Sequence, residues 1–195
     1  MKRILTGILL LVSISLFSQE TKLYDFSNFI GTWKYETENE IFILDILNIS
    51  THKLVGVWKY ENNGKVIYDN TAELNNVDNS EYAIWGAFHF CVLSQNINKR
   101  TQEELSITHI DPMNVACEEE GEVMHWTVDS GYSRLKNIPS NPNQLLFHIQ
   151  PNDPLGGEFF KKDENGIITR QPYYKYDKNV KYFTVPADMI LTKVE

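Results

Sequence analysis

Turn signals recur at short intervals along this chain: Asn62-Asn63-Gly64, Glu120-Gly121, Ser130-Gly131, Asn141-Pro142-Asn143, Pro151-Asn152-Asp153-Pro154 and Asn165-Gly166. Between them lie short runs rich in Ile, Val, Thr, Tyr, Phe and Trp. β-branched and aromatic side chains fit a pleated, half-buried surface, and Gly, Asn and Pro supply the backbone angles of tight turns. The combination predicts an all-β fold of antiparallel strands joined by hairpins. Strands are expected at 30–38, 40–50, 53–61, 65–71, 81–93, 103–110, 122–129, 144–150, 180–184 and 188–194. Past the N-terminal segment no long apolar stripe has helical spacing; a short helix around Lys22 to Phe29 is the one helical expectation.

Side-chain parity refines this reading. Trp33 and Tyr35 share one face of their strand; Leu54, Trp58 and Tyr60 share another, with Gly56 between them. In Ile41–Ile49 both parities are apolar, which predicts a strand covered on two sides. In 82–93, Tyr82, Ile84, Phe88, Phe90 and Val92 alternate with Trp85, His89, Cys91 and Leu93, and Gly86 predicts a bend or bulge. Residues 151–180 carry Pro151, Pro154, Gly156, Gly157 and Pro172, and read as a long excursion with one hairpin centred on Asn165-Gly166. With 195 residues, 42% of them hydrophobic and 12% aromatic, the chain can bury one core, and nothing divides it into two domains.

The first residues read as an address. Met1-Lys2-Arg3 is a basic head, Ile4 to Phe17 is mostly apolar, and Ser18-Gln19-Glu20 brings a small residue and a change to polar chain. That is the layout of a secretory signal peptide over 1–18, with cleavage after Ser18 and a mature domain over 19–195. The expected destination is the periplasm or the cell exterior. An oxidising compartment would let Cys91 and Cys117 form a disulfide worth roughly 3–4 kcal/mol in the chain-entropy model. Two separate buried thiols are the alternative. Outside the leader no apolar run approaches the ~20 residues of a spanning helix, so no transmembrane segment is expected. A net charge of −8 leaves few cations to neutralise phosphates, so nucleic acid is not an expected partner.

At Phe29-Ile30-Gly31-Thr32-Trp33-Lys34-Tyr35 the chain resembles the opening strand of a lipocalin-like barrel. With the leader ending Phe-Ser-Gln and the Leu191-Thr192-Lys193 terminus, it is similar to an uncharacterised family of exported lipocalin-like bacterial proteins. The resemblance implies a single antiparallel calycin-type β-barrel of about ten strands, in which Gly31 and Trp33 lie on the first strand. Trp33 closes one end, and Lys193 on the last strand packs over its ring. The family's mid-chain Thr-Asp-Tyr pattern is absent, so a β-sandwich stands as the alternative.

Chemistry-bearing residues are scattered. His52, His89, His109, His125 and His148 show no metal-ligand spacing, and no Gly-x-Ser-x-Gly turn is present. His89 and Cys91 share a strand face that His125 or His148 could join; separate strand histidines are the alternative. Asp45 sits among Ile43, Leu44, Ile46 and Leu47 and would need a partner if buried, exposure at an edge being the alternative. Glu118-Glu119-Glu120-Gly121-Glu122 reads as a solvated hairpin tip, with Ca²⁺ binding the sharper option. No cofactor, metal or catalytic group is expected.

The aromatic load is the remaining clue. A barrel lined by Trp, Tyr and Phe suits a small apolar or amphipathic ligand, whereas a solid core is the alternative. The pocket residues expected are Tyr35, Trp58, Tyr60, Phe88, Phe90 and His148, with Arg134 as a charge for an anionic head group. The functional expectation is non-enzymatic binding of such a ligand. The alternatives are an exported scaffold binding a protein or glycan through its surface loops, and a hydrolase without a visible constellation; no particular protein partner is indicated.

Overall fold

The computed structural model describes residues 26–50, 53–76, 84–92, 104–119, 122–128, 132–151, 158–162, 168–172 and 179–194. The expected leader and its cleavage site lie outside these residues, as do His52 and the start of the helix expected from Lys22. Residues 27–29 instead make a turn in which the Phe29 and Ile30 amides donate to Phe26 O at 2.9 and 3.3 Å.

The strands are β1 (Gly31–Glu36), β2 (Glu40–Ser50), β3 (Lys53–Asn62), β4 (Lys65–Asp69), β5 (Phe88–Val92), β6 (Glu104–Thr108), β7 (Ile110–Glu119), β8 (Glu122–Thr127), β9 (Arg134–Ile138), β10 (Asn141–His148), β11 (Glu158–Lys162), β12 (Ile168–Pro172) and β13 (Asp188–Lys193). β3 and β4 are joined by Asn63-Gly64, both at positive φ, the backbone that matches a two-residue hairpin to strand twist. β11 and β12 pair antiparallel around the expected hairpin.

Eight strands close on themselves in chain order: β1, β2, β3, β5, β6, β9, β10 and β13, which pairs back onto β1. β4 adds a ninth to the sheet. β3 makes this division along its length, since 53–56 pair with β5 and 59–62 pair with β4. The fold is therefore a closed antiparallel, lipocalin-like β-barrel, with nine strands in its sheet against about ten expected. Closure excludes the sandwich.

Three local expectations are corrected. Within the described part of the strand expected over 81–93, only Phe88–Val92 is strand, because Ile84–Ala87 is a turn in which Ala87 N–H reaches Ile84 O at 3.3 Å and Gly86 has φ 71°. A Cβ on Gly86 would overlap the Tyr68 hydroxyl, so the bend needs glycine for space as well as for angle. Residues 180–184 are not a strand but part of an irregular strap over 179–187. β7 and β9 were not among the expected strands; Pro112 and Asn114 interrupt the first, and Arg134-Leu-Lys-Asn-Ile lacks the aromatic signature.

Register explains the core. Trp33 faces Leu44, Leu44 faces Trp58, Gly56 faces Phe88, Phe90 faces Ile107, Leu105 faces Leu135, Leu135 faces Phe147, and Phe147 faces Met189. Because faces alternate along a strand, one parity is carried around the whole wall and returns at Trp33 facing Lys193. β2 is covered on both sides, as its double apolar parity predicts. Phe42, Leu44 and Ile46 point inward, while outer Leu47 and Ile49 pack with Val55, Val57, Ile84 and Ala87.

Candidate functional site

The closed end holds the residues of the end-strand motif. Trp33 is fully buried, its Nε1 donates to Phe29 O at 2.7 Å, and Lys193 Nζ stands 5.3 Å from its ring centroid. Gly31 has φ 125°, and a Cβ there would meet Lys193 Cε at 3.3 Å. A cation on an indole face contributes about 0.5–1 kcal/mol at an exposed site.

The aromatic residues expected to line a pocket fill the interior instead. Trp58, Tyr60, Phe88 and Phe90 are at most 1% exposed. Phe88 lies 5.7 Å from Trp58, 6.4 Å from Phe90 and 5.2 Å from Phe147, ring centroid to centroid. These are the spacings of tilted and edge-to-face packing. Tyr35 lies on the same inward parity and packs against this core. His148 and Arg134 face each other in register on the opposite parity, outside the barrel. There Arg134 pairs with Glu104 at 2.9 Å and His148 Nδ1 lies 2.6 Å from Asp188. Parity of a single strand pair, Leu135 with Phe147 inward, is what turns these two away.

The other end, the mouth, carries the long connections. It gathers the starts of β2 and β13, the end of β10, the β7–β8 ribbon, the Trp85-Gly86 turn and the 179–187 strap. His109 caps the core here. It is 1% exposed and stacks on Phe88 at 4.0 Å, with Nδ1 3.4 Å from Ala87 O. Burial pushes its pKa down to about 4, against the pull of the Asp111 charge. Asn70 pins the neighbouring turn: its Oδ1 accepts from Trp58 N–H at 2.7 Å, its Nδ2 donates to Trp85 O at 3.2 Å, and Trp58 Nε1 donates to Gly86 O at 2.5 Å.

A cleft of about 290 Å³ opens at the mouth between the strap, the start of β2 and the exit of β10. Its floor is Ile149, Pro151, Phe183 and Val185; its polar groups include Glu40 and Lys181. Glu40 accepts a hydrogen bond from the Tyr60 hydroxyl, and Asn62 Nδ2 donates to the Tyr60 hydroxyl oxygen at 3.3 Å. Burial and the neighbouring Glu40 push the Tyr60 hydroxyl up to about 12, so it stays a proton donor. Lys181 Nζ stands over the Tyr60 ring at 5.7 Å. Tyr60 thus links the cleft to the core. Glu40 and the strap residues went unread at the sequence level, because only chain closure brings Glu40 beside residues 180–187.

The remaining candidates stay apart. His89 lies on the outer parity of β5, and burial and Lys53 lower its pKa. His125 meets Trp85 at 5.6 Å, and no group of three His, Cys, Asp or Glu converges among the described residues. Asp45 is half-buried on the outer face, 2.5 Å from Thr32 Oγ1, so its partner is a hydroxyl. Cys91 is a free, exposed thiol 2.8 Å from Ser106 Oγ, while the side chain of Cys117 lies outside the described residues. The Glu120-Gly121 tip also lies outside them. Among the described residues no helix is long and apolar enough to cross a membrane.

A closed lipocalin-like barrel with an aromatic core and a partly polar cleft at its mouth is the class these features define. Within it, the chain belongs to the family of unknown function DUF6705, whose model matches residues 1–194. No curated protein and no solved structure matches it significantly.

Proposed function

We propose that this protein is an exported, non-enzymatic binder of a small amphipathic ligand, held at the barrel mouth rather than along its axis. The observation that carries this reading is the cleft itself, in which an apolar floor of Ile149, Pro151, Phe183 and Val185 adjoins the Lys181 ammonium and the Glu40 carboxylate. Binding sites of this kind pair an apolar wall with a few fixed polar groups. The ligand's apolar body rests on the floor and its head takes a hydrogen bond from Lys181. Export follows from the leader, and cleavage after Ser18 leaves residues 19–195 to fold.

The test uses full-length protein expressed with its leader. Native mass spectrometry of the product should give the mass of 19–195 and a stoichiometric small molecule released by solvent. In parallel, 1-anilinonaphthalene-8-sulfonate serves as an amphipathic anionic probe. Ala187→Trp, which fills the cleft from an exposed position, should weaken probe binding at least about tenfold, and Lys181→Glu by a similar factor, equivalent to about 1.4 kcal/mol each. Unchanged affinity in both variants removes the cleft as the site.

A further inference from the structure

The strap over 179–187 is an irregular segment whose middle is nevertheless buried: Tyr182, Phe183, Thr184 and Val185 are each 8% exposed or less. Its attachment to the wall includes Ile149 N–H donating to Ala187 O at 2.8 Å. A dense polar attachment runs to β7. The Asp111 carboxylate, fully buried, accepts from Thr184 N–H at 2.5 Å and from Thr184 Oγ1 at 3.1 Å. The same carboxylate accepts from Met113 N–H at 2.9 Å and Asn114 Nδ2 at 3.1 Å. Asn114 Nδ2 also reaches Tyr182 O at 3.0 Å.

A buried carboxylate is costly unless its oxygens are satisfied, and hydrogen bonds to a charged acceptor are stronger than neutral ones. Asp111 has no ion-pair partner among the described residues; its charge is met by four donors, two of them from Thr184. The geometry that allows this is the irregularity of β7, whose register with β8 shifts between Ile110 and Val115. Asp111 lies within that shift, with Met113 and Asn114 turned onto it. β7 and β8 form their own two-stranded sheet, separate from the barrel wall. Trp126 on β8 adds an edge-to-face contact to Tyr182 at 4.7 Å. The strap is therefore held on one side by the ribbon, and its residues, Lys181, Tyr182, Phe183 and Val185 among them, line the cleft.

We propose that Asp111 is the positioning residue of the mouth cleft: its carboxylate clasps the strap to the β7–β8 ribbon, and the clasp sets how fast a ligand enters and leaves. This rests on the binding reading above, and Asp111 itself need not touch the ligand. Releasing the clasp frees the strap locally while the barrel wall keeps its own closed ladder.

The experiment compares wild-type full-length protein with Asp111→Ala and the milder Thr184→Ala, which removes the hydroxyl donor to the carboxylate and keeps the backbone donor. Amide hydrogen exchange is read over 180–187 and over β2 and β3. Stopped-flow fluorescence gives association and dissociation rates for 1-anilinonaphthalene-8-sulfonate. The expected result is strap exchange faster by about tenfold or more in Asp111→Ala, with β2 and β3 unchanged and probe dissociation faster by a similar factor. Thr184→Ala should shift both in the same direction by less. Equal loss of protection in strap and wall overturns the clasp, since Asp111 would then serve global stability alone. Faster strap exchange with unaltered probe rates overturns its control of the cleft. Failure of the wild type to take up probe overturns the binding reading instead, and is recognised because the exchange measurement is made without probe.

Discussion

Two buried positions show how single side chains set limits on this barrel. Gly56 faces inward between Ile46 and Phe88, and a Cβ there would stand 2.7 Å from Leu44 Cδ1 and 3.0 Å from Phe90 Cε2. Both neighbours are locked in the core, so Gly56→Ala should cost about 1–3 kcal/mol in urea unfolding through overpacking. His109 sets a different limit. Its folded pKa is pushed down to about 4 by burial, against an ordinary value near ~6.5. Above the unfolded value both states are neutral. Between the two values the unfolded chain binds a proton and the folded one does not, so stability falls as pH drops through this window. Urea unfolding at pH 7 and pH 4.5 should show the wild type losing about 2 kcal/mol more than His109→Gln. An equal loss in both proteins would remove His109 as the cause. Neither limit could be read from sequence: Gly56 was placed on the right parity, but what a methyl would strike there depends on two other strands.

At the scale of elements, the expected strands succeed where β-branched and aromatic residues are dense and fail where burial is supplied by something else. β1 to β4 follow the expected spans closely because alternation and the Asn63-Gly64 turn agree. Val180 to Thr184 also looks like a strand, yet its amides are used differently: Thr184 N–H goes to the Asp111 carboxylate, a partner 73 positions away. Apolar content marked the segment as buried, and a long-range hydrogen bond decided that it is a strap. The β11–β12 hairpin was legible from Asn165-Gly166, and its strands pair with each other rather than with the wall. Replacing 157–173 by a short Gly-Ser linker should therefore shift the thermal midpoint by less than about 4 °C, the equivalent of roughly 1 kcal/mol. A larger fall would make the hairpin part of the barrel's support.

At the scale of the molecule, closure is the central fact. The first strand meets the last at Trp33 and Lys193, so two residues far apart in the sequence complete the wall. Trp33→Ala should cost about 3–5 kcal/mol by opening a cavity under that seam, a large part of a domain's whole stability. Lys193→Ala should cost about 0.5–1 kcal/mol, since only the cation on the ring is lost. Chemical denaturation separates the two; similar costs would mean that the seam depends on the charge as much as on the indole.

The sequence by itself determined the all-β class, the antiparallel pairing and the inward parity of the early strands, because these follow from alternation and turn chemistry over a few residues. The end-strand resemblance anticipated which residues meet at the seam. Only the tertiary structure decided that the rings of the aromatic parity meet one another in a shared buried core. Whether rings from eight strands leave a void depends on their combined volume and tilt, which no single strand encodes. The same holds for the mouth: Glu40, Asp111 and Thr184 are far apart in the chain, and the cleft and its clasp exist only once the wall has closed.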